Sequence, residues 1–351
     1  NRIKIESGNK LCYSKGCDSL IKKRENGMSD FLFSINATVP IFLVILLGWF
    51  LKRIGLINDE FAGQSANFYA VFNIANKYVF KVSLPVLLFR DIATTSVLKD
   101  VNMKFVAFCF FGTFIMFACA WCFAKIYCRD KTMVGAFAQA SARGSAAVLG
   151  IAFVENICGS SGMAPLMIVA AVPLFNILSV IMLTFGGRDI IHGADGIKTA
   201  CINILKNPII IGIVLGVPFS LLNIPIPAIP MKTINYIAQT ATPIALIAIG
   251  AGFNTKAALE KMKPAVTAAL MKLVVFPLIY MPIAVKLGFA PSELAAILIM
   301  TGSPSTVTCY IMAKNMNNDE VLSSNAIVLT TLFSSITITV WVYVLRVMGC
   351  I

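Results

Sequence analysis

The sequence predicts an all-α polytopic membrane protein with ten transmembrane helices, arranged as two inverted five-helix repeats with broken, crossing helices 4 and 9. Composition is the first observation: 58% of the 351 residues are hydrophobic and 13% are charged, against roughly 45–50% and about 25% in soluble domains. A soluble protein of this length cannot bury so much apolar surface. An ordinary cytosolic enzyme, a disordered chain and a disulfide scaffold are therefore excluded.

Continuous apolar runs are the second observation. Each run is 17–26 residues long, which is enough to cross a bilayer as a helix. The runs do not alternate between polar and apolar residues, as barrel strands would. The ten runs span residues 36–54, 66–90, 103–127, 133–156, 163–186, 207–223, 231–252, 264–287, 292–313 and 323–348.

An internal repeat is the third observation. A shift of 158 residues aligns run two with run seven, run four with run nine and run five with run ten. A shift of 168 aligns runs one and six, where Pro40 and Gly48 meet Pro208 and Gly216. Because five is an odd number, the second copy enters the membrane upside down, as in many secondary transporters.

The repeat divides the chain into four segments. We expect a basic tail at 1–35, a first five-helix repeat at 36–186, a cytoplasmic connecting loop at 187–206 and a second repeat at 207–351. Residues 1–27 contain seven Lys/Arg and three Asp/Glu without an apolar core. We expect them to be a disordered tail or translated upstream sequence before Met28.

Loop charges predict the orientation. Past Met28, twelve Lys/Arg lie in loops on one side of the membrane and six on the other. Because basic loops stay in the cytoplasm, we expect the side with twelve to be cytoplasmic and both termini to be outside. The basic tail argues the other way if it is native. The rest of the net charge of +13 is scattered between apolar runs, which indicates topology rather than nucleic-acid binding.

The two most polar midsections belong to runs four and nine, which are repeat mates. In the alignment Gly144 and Ser145 meet Gly302 and Ser303. Pro304 lacks an amide N–H and clashes with the preceding turn, so run nine should kink or unwind there. Unwound backbone within a membrane must be buried in protein or line a cavity. The alternative is an ordinary proline kink.

Four basic residues lie inside apolar runs: Lys77, Lys81, Arg143 and Lys272. Each such charge costs roughly 2.5–3.5 kcal/mol at a helix centre, so each is a functional candidate. No Asp or Glu lies deep in a run. Surplus positive charge favours an anionic cargo, although long basic side chains also reach the interface without binding anything.

The predicted substrate-binding set combines this charge with the polar breaks. We expect Arg143 to bind the charge of the anion, hydroxyl groups at the breaks to donate hydrogen bonds, and Lys81 to lie across the cavity. The complete set is Arg143, Gly144, Ser145, Gly302, Ser303, Pro304, Ser305, Thr306, Lys81, Pro85 and Gln139.

Several segments resemble the auxin efflux carrier family, which includes malate- and malonate-type permeases and plant PIN carriers. They are VPIFLVILLGWFLKRIGLINDE, FKVSLPVLLFRDIA, FAQASARGSAAVLGIAF, PLFNILSV and TGSPSTVTCYIMAKNMNND, in the family's order. The resemblance implies the ten-helix inverted repeat, a scaffold bundle, a transport bundle and uniport or proton-linked carriage of small organic anions. The chain departs from the family at Ser145 and Lys81, where Asn is usual, and at Ile151, where Pro is common.

No pattern for catalysis is present. The single histidine is His192, and no phosphate-binding loop occurs, so we expect no enzyme activity, no cofactor and no metal. The expected partners are a small organic anion, the lipid bilayer of the plasma membrane and no nucleic acid, with a coupled proton and a homodimer left open.

Two alternatives remain. A sodium-coupled organic-anion symporter of the bile-acid type would need acidic and amide ligands at the crossing, where only Gln139 is present. A membrane sensor on a carrier fold would normally need a soluble output domain, and the longest internal loop, 186–207, is too short for one.

Overall fold

The computed structural model describes residues 39–54, 75–94, 102–146, 154, 163–186, 194–222 and 224–351. Within these ranges the regular structure is helical, without a β-strand, and includes one isolated backbone bridge. The all-α fold class predicted from the apolar runs is therefore confirmed for the described part of the chain.

The first half of the chain supplies helices α1 to α5. Their bounds are 39–53 for α1, 75–93 for α2, Met103–Tyr127 for α3, Lys131–Ala142 for α4 and Ala164–Gly186 for α5. Within α2, Val79–Ser83 forms a π-helical turn.

The second half supplies α6 to α14. Their bounds are Ala194–Leu205, Pro208–Leu221, Ala228–Gln239, Ala241–Ala251, Thr255–Glu260, Met262–Lys286, Pro291–Gly302, Thr308–Asn315 and Glu320–Val347. Within α11, Met271–Val275 forms a second π-helical turn.

One difference from the sequence concerns the connection between the halves. The segment 187–206, predicted as a loop, contains α6, and the chain bends by 53° between Thr199–Leu205 and Pro208–Leu221. Gly and Asp residues at its start favoured a loop, whereas the later residues KTACINIL contain no helix breaker. The cytoplasmic location of this segment stays a prediction.

Within the described part of the chain, five spans are long and apolar enough to cross a membrane, or six if the bent pair counts as one span. They are Met103–Tyr127, Ala164–Gly186, Ala228–Ala251, Met262–Lys286 and Glu320–Val347. The described residues therefore form a multi-pass membrane architecture.

Close glycine contacts hold α1 against α9 and α7 against α2. A Cβ atom added at Gly48 would lie 2.3 Å from the carbonyl oxygen of Ile247, and one added at Gly216 would lie 3.0 Å from that of Phe89. Small residues allow such backbone approach between membrane helices.

A second group of helices surrounds the two helix breaks. It comprises α3, α4, α5 and α11 to α14, which pack on one another through buried aromatic side chains such as Phe105, Phe137 and Phe175. Asp130 begins α4, because its carboxylate accepts a hydrogen bond from the amide of Thr132.

Candidate functional site

Two helices end abruptly in the middle of the helical group around α4 and α12. Helix α4 ends at Ala142, and Arg143 is extended with φ −79° and ψ 121°. Helix α12 ends at Gly302, Ser303 is extended with φ −70° and ψ 154°, and helix resumes at Thr308. The discontinuity predicted around Gly302–Ser305 is therefore present. The predicted first break also begins at Arg143, and its later part, 147–150, lies outside the described residues.

The two extended segments cross and pair. Gly144 and Ser305 form an antiparallel bridge, and the amide of Ser145 donates to the carbonyl of Pro304 over 2.8 Å. The amide of Ser305 donates to Thr330 Oγ1 on α14 over 3.0 Å. Backbone that has left the helix is thus satisfied by protein groups, which a membrane interior demands.

Side chains also link the two breaks. The hydroxyl of Ser305 donates to the carbonyl of Ala140, in the last turn of α4, over 2.5 Å. Gln139 Nε2 donates to the carbonyl of Cys309 in the first turn of α13 over 2.8 Å. The second break therefore caps the end of α4, and Gln139 ties α4 to α13.

Lys272 reaches this crossing from the π-helical turn of α11. Its side chain is fully buried, and its Nζ donates to the carbonyls of Ala142 and Met300, at 3.1 Å each. These two carbonyls lie in the last turns of α4 and α12, where the helix dipoles are negative. One ammonium group therefore caps both broken helices.

Gly144 has no space for a side chain. A Cβ atom there would lie 2.4 Å from Ser303 Oγ and 3.0 Å from Lys272 Nζ. Ser303 is fully buried, and its hydroxyl has no hydrogen-bond partner among the described residues. The crossing is thus tightly packed around one glycine.

Arg143 is the second buried cation of the crossing. It is 5% exposed, its Nη2 donates to Asn176 Oδ1 over 2.6 Å, and its Nη1 lies 2.8 Å from Met312 Sδ. Asn176 is oriented in turn, because its Nδ2 donates to the carbonyl of Val172 over 2.9 Å. The guanidinium therefore has neutral partners on α5 and α13.

A small cavity of about 40 Å³ opens beside Arg143, with room for a few water molecules. Four predicted site residues line it: Arg143, Gly144, Ser145 and Thr306. Three further polar residues line it that the sequence prediction omitted: Asp91, Asn176 and Thr308. Asp91 also pairs with Arg90 at 2.6 Å.

The remaining predicted residues divide into two groups. Gly302, Ser303, Pro304, Ser305 and Gln139 belong to the crossing but do not line the cavity. Lys81 and Pro85 lie on α2, where the Lys81 side chain is exposed and the Pro85 backbone lies against Gly212 of α7. The structure therefore does not bring Lys81 or Pro85 to the cavity in this conformation.

Weak sequence signs existed for the omitted residues. Asn176 is a lone amide in an apolar run, and Lys272 was among the intramembrane cations but had no visible link to the breaks. Asp91 stood at a run end. Within the described ranges no group of three or more His, Cys, Asp or Glu residues is placed to hold a metal ion.

Comparison with known proteins agrees with this architecture. A family described as "Membrane transport protein" matches residues 33–190 and 196–342. A protein of Methanothermobacter thermautotrophicus named "Uncharacterized transporter" is 24% identical over 323 residues, covering 90% of this chain and 99% of its own. A Rhizobium meliloti protein named "Putative malonate transporter" is 23% identical over 318 residues, covering 88% and 94%. The Escherichia coli K12 protein "Uncharacterized transporter YfdV" is 24% identical over 335 residues, covering 90% and 99%.

The family match spans most of the chain, including α4, α12 and the crossing between them. The resemblance seen in the sequence motifs is thereby confirmed. The chain belongs to the membrane transport protein family, whose members are auxin efflux carrier-like transporters, and it is a membrane transporter.

Proposed function

We propose that this transporter is a secondary carrier that moves small organic anions, such as dicarboxylates, across the plasma membrane by alternating access at the crossing of the two breaks. One observation carries the proposal: Arg143 is buried at the crossing beside the cavity, and its guanidinium forms no ion pair among the described residues. A buried charge is costly unless it is paired. An anionic substrate supplies the missing charge.

The donors around the cavity suit a carboxylate. Arg143 has five N–H donors, and two of its nitrogens have partners among the described residues. Thr306 and Thr308 line the same cavity, and Thr308 is the first residue of α13. The positive end of a helix dipole at that position also favours an anion.

Equivalent contacts in the two halves support the inverted repeat. Gly48 of α1 approaches Ile247 of α9, and Gly216 of α7 approaches Phe89 of α2. The two glycines differ by 168 positions and their partners by 158, the same two shifts that align the sequence. Helices α3 and α11 each have 25 residues, and α4 and α12 each have 12. These equivalences favour ten spans in two inverted copies.

The name of one relative agrees with the proposed cargo, since the Rhizobium protein is named for malonate. In the proposed orientation, the basic loops lie in the cytoplasm and both termini lie outside the cell. It includes no catalytic step. A coupled proton and a homodimer are compatible with it.

Counterflow in proteoliposomes tests the function. Vesicles loaded with unlabelled malonate, malate, succinate or oxalate should accumulate the labelled form of the same anion, and protein-free vesicles should not. Malonamide, a neutral analogue of malonate, is the matched control and should not compete. Competition by malonamide as strong as that by malonate, or no exchange across the panel, would contradict anion transport.

Sodium coupling is a second candidate that two observations favour. Asp91 lines the cavity, and the side-chain oxygen of Gln139 is buried without a hydrogen-bond partner among the described residues. Carboxylate and amide oxygens are typical ligands of hard cations. If this candidate is right, replacing sodium by potassium on both sides of the vesicles will abolish concentrative uptake.

A further inference from the structure

We propose that the crossing contains a cation site, built from the last carbonyls of α4 and α12, and that Lys272 fills it permanently as a tethered cation. The side chain takes the place that a bound inorganic ion would otherwise occupy, so that the transporter works without sodium. The transport readout below rests on the proposed function, whereas the site itself does not.

Two backbone carbonyl oxygens form the proposed cation site. The carbonyls of Ala142 and Met300 both accept from Lys272 Nζ, at 3.1 Å each. Each lies in the final turn of a helix that stops inside the protein, where carbonyls lack intrahelical partners and the dipole end is negative. Such half-helix ends are the groups that coordinate cations in transporters with broken helices.

A hydroxyl oxygen lies next to these two carbonyls. Ser303 Oγ is fully buried and has no hydrogen-bond partner among the described residues, and both it and Lys272 Nζ lie within 3.0 Å of the position that a Cβ atom at Gly144 would take. Without the lysine, the carbonyls of Ala142 and Met300 would face a buried vacancy that Ser303 Oγ borders. These uncharged oxygens are suitable ligands for sodium or for a small ammonium ion.

Lys272 approaches the crossing from a third helix. Lys272 comes from α11, which is neither of the broken helices, and the π-helical turn Met271–Val275 positions it. The chain therefore supplies a cation from outside the crossing to balance two negative helix ends. Arg143 is held separately by Asn176 and remains available to the substrate.

Removal of the lysine tests the site by a binding measurement that needs no substrate. We expect the melting temperature of purified Lys272→Ala protein to rise with sodium chloride or methylammonium chloride, because a ligand that binds only the folded state stabilises it. N-methyl-D-glucamine chloride, whose cation is too large, should have no effect. Wild type and Lys256→Ala, a variant of an exposed lysine, should respond equally and weakly to all three salts.

Counterflow adds the functional readout. In N-methyl-D-glucamine, uptake by Lys272→Ala should fall about ten- to hundredfold, the usual effect of losing a hydrogen bond to a charged group. Methylammonium or sodium should restore it, and wild-type uptake should be the same in all three salts. If the role of Lys272 were purely structural, neither methylammonium nor sodium would restore uptake by Lys272→Ala.

Several outcomes would overturn the site. They are wild-type uptake that depends on sodium, unchanged uptake by Lys272→Ala in N-methyl-D-glucamine, or folded Lys272→Ala protein that neither salt stabilises. If Lys272→Ala does not fold without added cation, purification in methylammonium should recover the folded protein, and failure in every salt contradicts the proposal.

Lys272→Met fills the space without charge, so its uptake should be lost and neither salt should restore it. If wild type exchanges no anion but the salt-dependent melting is seen, the proposed cargo is wrong and the site stands.

Discussion

The two helix breaks have the same outline and different chemistry. Each follows a helix of 12 residues, and the extended segments pair through Gly144 and Ser305. The first break contains the charged Arg143 and a glycine with no space for a side chain. The second contains Pro304 and Ser305, whose hydroxyl donates to the Ala140 carbonyl and whose amide donates to Thr330 of α14. The first break therefore provides a positive charge, whereas the second mainly fixes the path of the backbone.

This difference shows that two breaks with a similar backbone path can have side chains with different roles. The bridge pairs Gly144 with Ser305, which differ by 161 positions, whereas the sequence alignment with a shift of 158 pairs Gly144 with Gly302. The residues that meet at the crossing are therefore not the residues that the sequence alignment pairs.

The largest expected effect is on charge at the first break. Arg143→Gln should reduce anion uptake about ten- to hundredfold, since a hydrogen bond to a charged group contributes roughly 1.5–3 kcal/mol. Arg143→Lys should restore it only partly, because an ammonium cannot make the planar two-point contact. Counterflow measures both, with Arg129→Gln, at an exposed arginine, as the control. Normal uptake by Arg143→Gln would show that this break does not supply the charge.

The next largest effect is a difference in stability between variants of Gly144 and Gly302, the two glycines that the sequence alignment pairs. Gly144→Ala should lower the free energy of unfolding by about 1–3 kcal/mol, because the new methyl group overlaps Ser303 Oγ at 2.4 Å. Gly302→Ala should cost less, because the tightest contact of its new methyl group would be with Pro277 Cγ at 3.0 Å and its other neighbours lie at 3.8 Å or more. Thermal or detergent unfolding of the two proteins compares them directly. Equal losses would indicate that the two breaks are packed alike.

A smaller effect is expected where the second break caps the first. Ser305→Ala removes the donor to the Ala140 carbonyl and should cost about 1–2 kcal/mol of unfolding free energy, since a buried acceptor loses its partner. Ser324→Ala is the matched control, because that hydroxyl bonds only to its own helix at Val321. The same unfolding assay would contradict the cap if both variants were equally stable.

The smallest effect concerns the proline. Pro304→Ala should change uptake by less than about threefold and stability by about 0.4–1 kcal/mol, mainly through the flexibility of the unfolded chain. The reason is that the break is held by the Ser145–Pro304 and Ser305–Thr330 hydrogen bonds, which do not involve the ring. A large loss of uptake would mean that the ring itself keeps the helix open.

The second break could be predicted from sequence because Gly302 and Pro304 disfavour helix locally, and its repeat mate then indicated the first. Lys272 could not be assigned, because a lysine in an apolar run is equally compatible with reaching the membrane interface. Its role depends on a π-helical turn and on two carbonyls that are 28 and 130 positions away in sequence. Asp91 was not predicted as a site residue for a similar reason. Its position near the end of an apolar run does not indicate that it lines the cavity.

Long apolar helices could be predicted from the sequence, whereas a short helix could not. Apolar runs gave the approximate bounds of α3, α5 and α14, because long hydrophobic stretches determine membrane helices almost alone. Helix α6 was missed because a short helix beside a proline turn depends on packing more than on its own residues.

The π-helical turn at Met271–Val275 sets the direction of two contacts of α11 relative to each other. A π turn contains one residue more than an α turn, so the same residues wound as a regular α-helix would rotate one side of α11 relative to the other by about 100°. Lys272 points to the crossing from one side of the turn, and Tyr280 on the other side donates to the Gly112 carbonyl of α3 over 2.7 Å. A regular helix could not serve both contacts. Substitutions that favour a regular α-helix at this turn should therefore break one of the two contacts, even where they change neither Lys272 nor Tyr280.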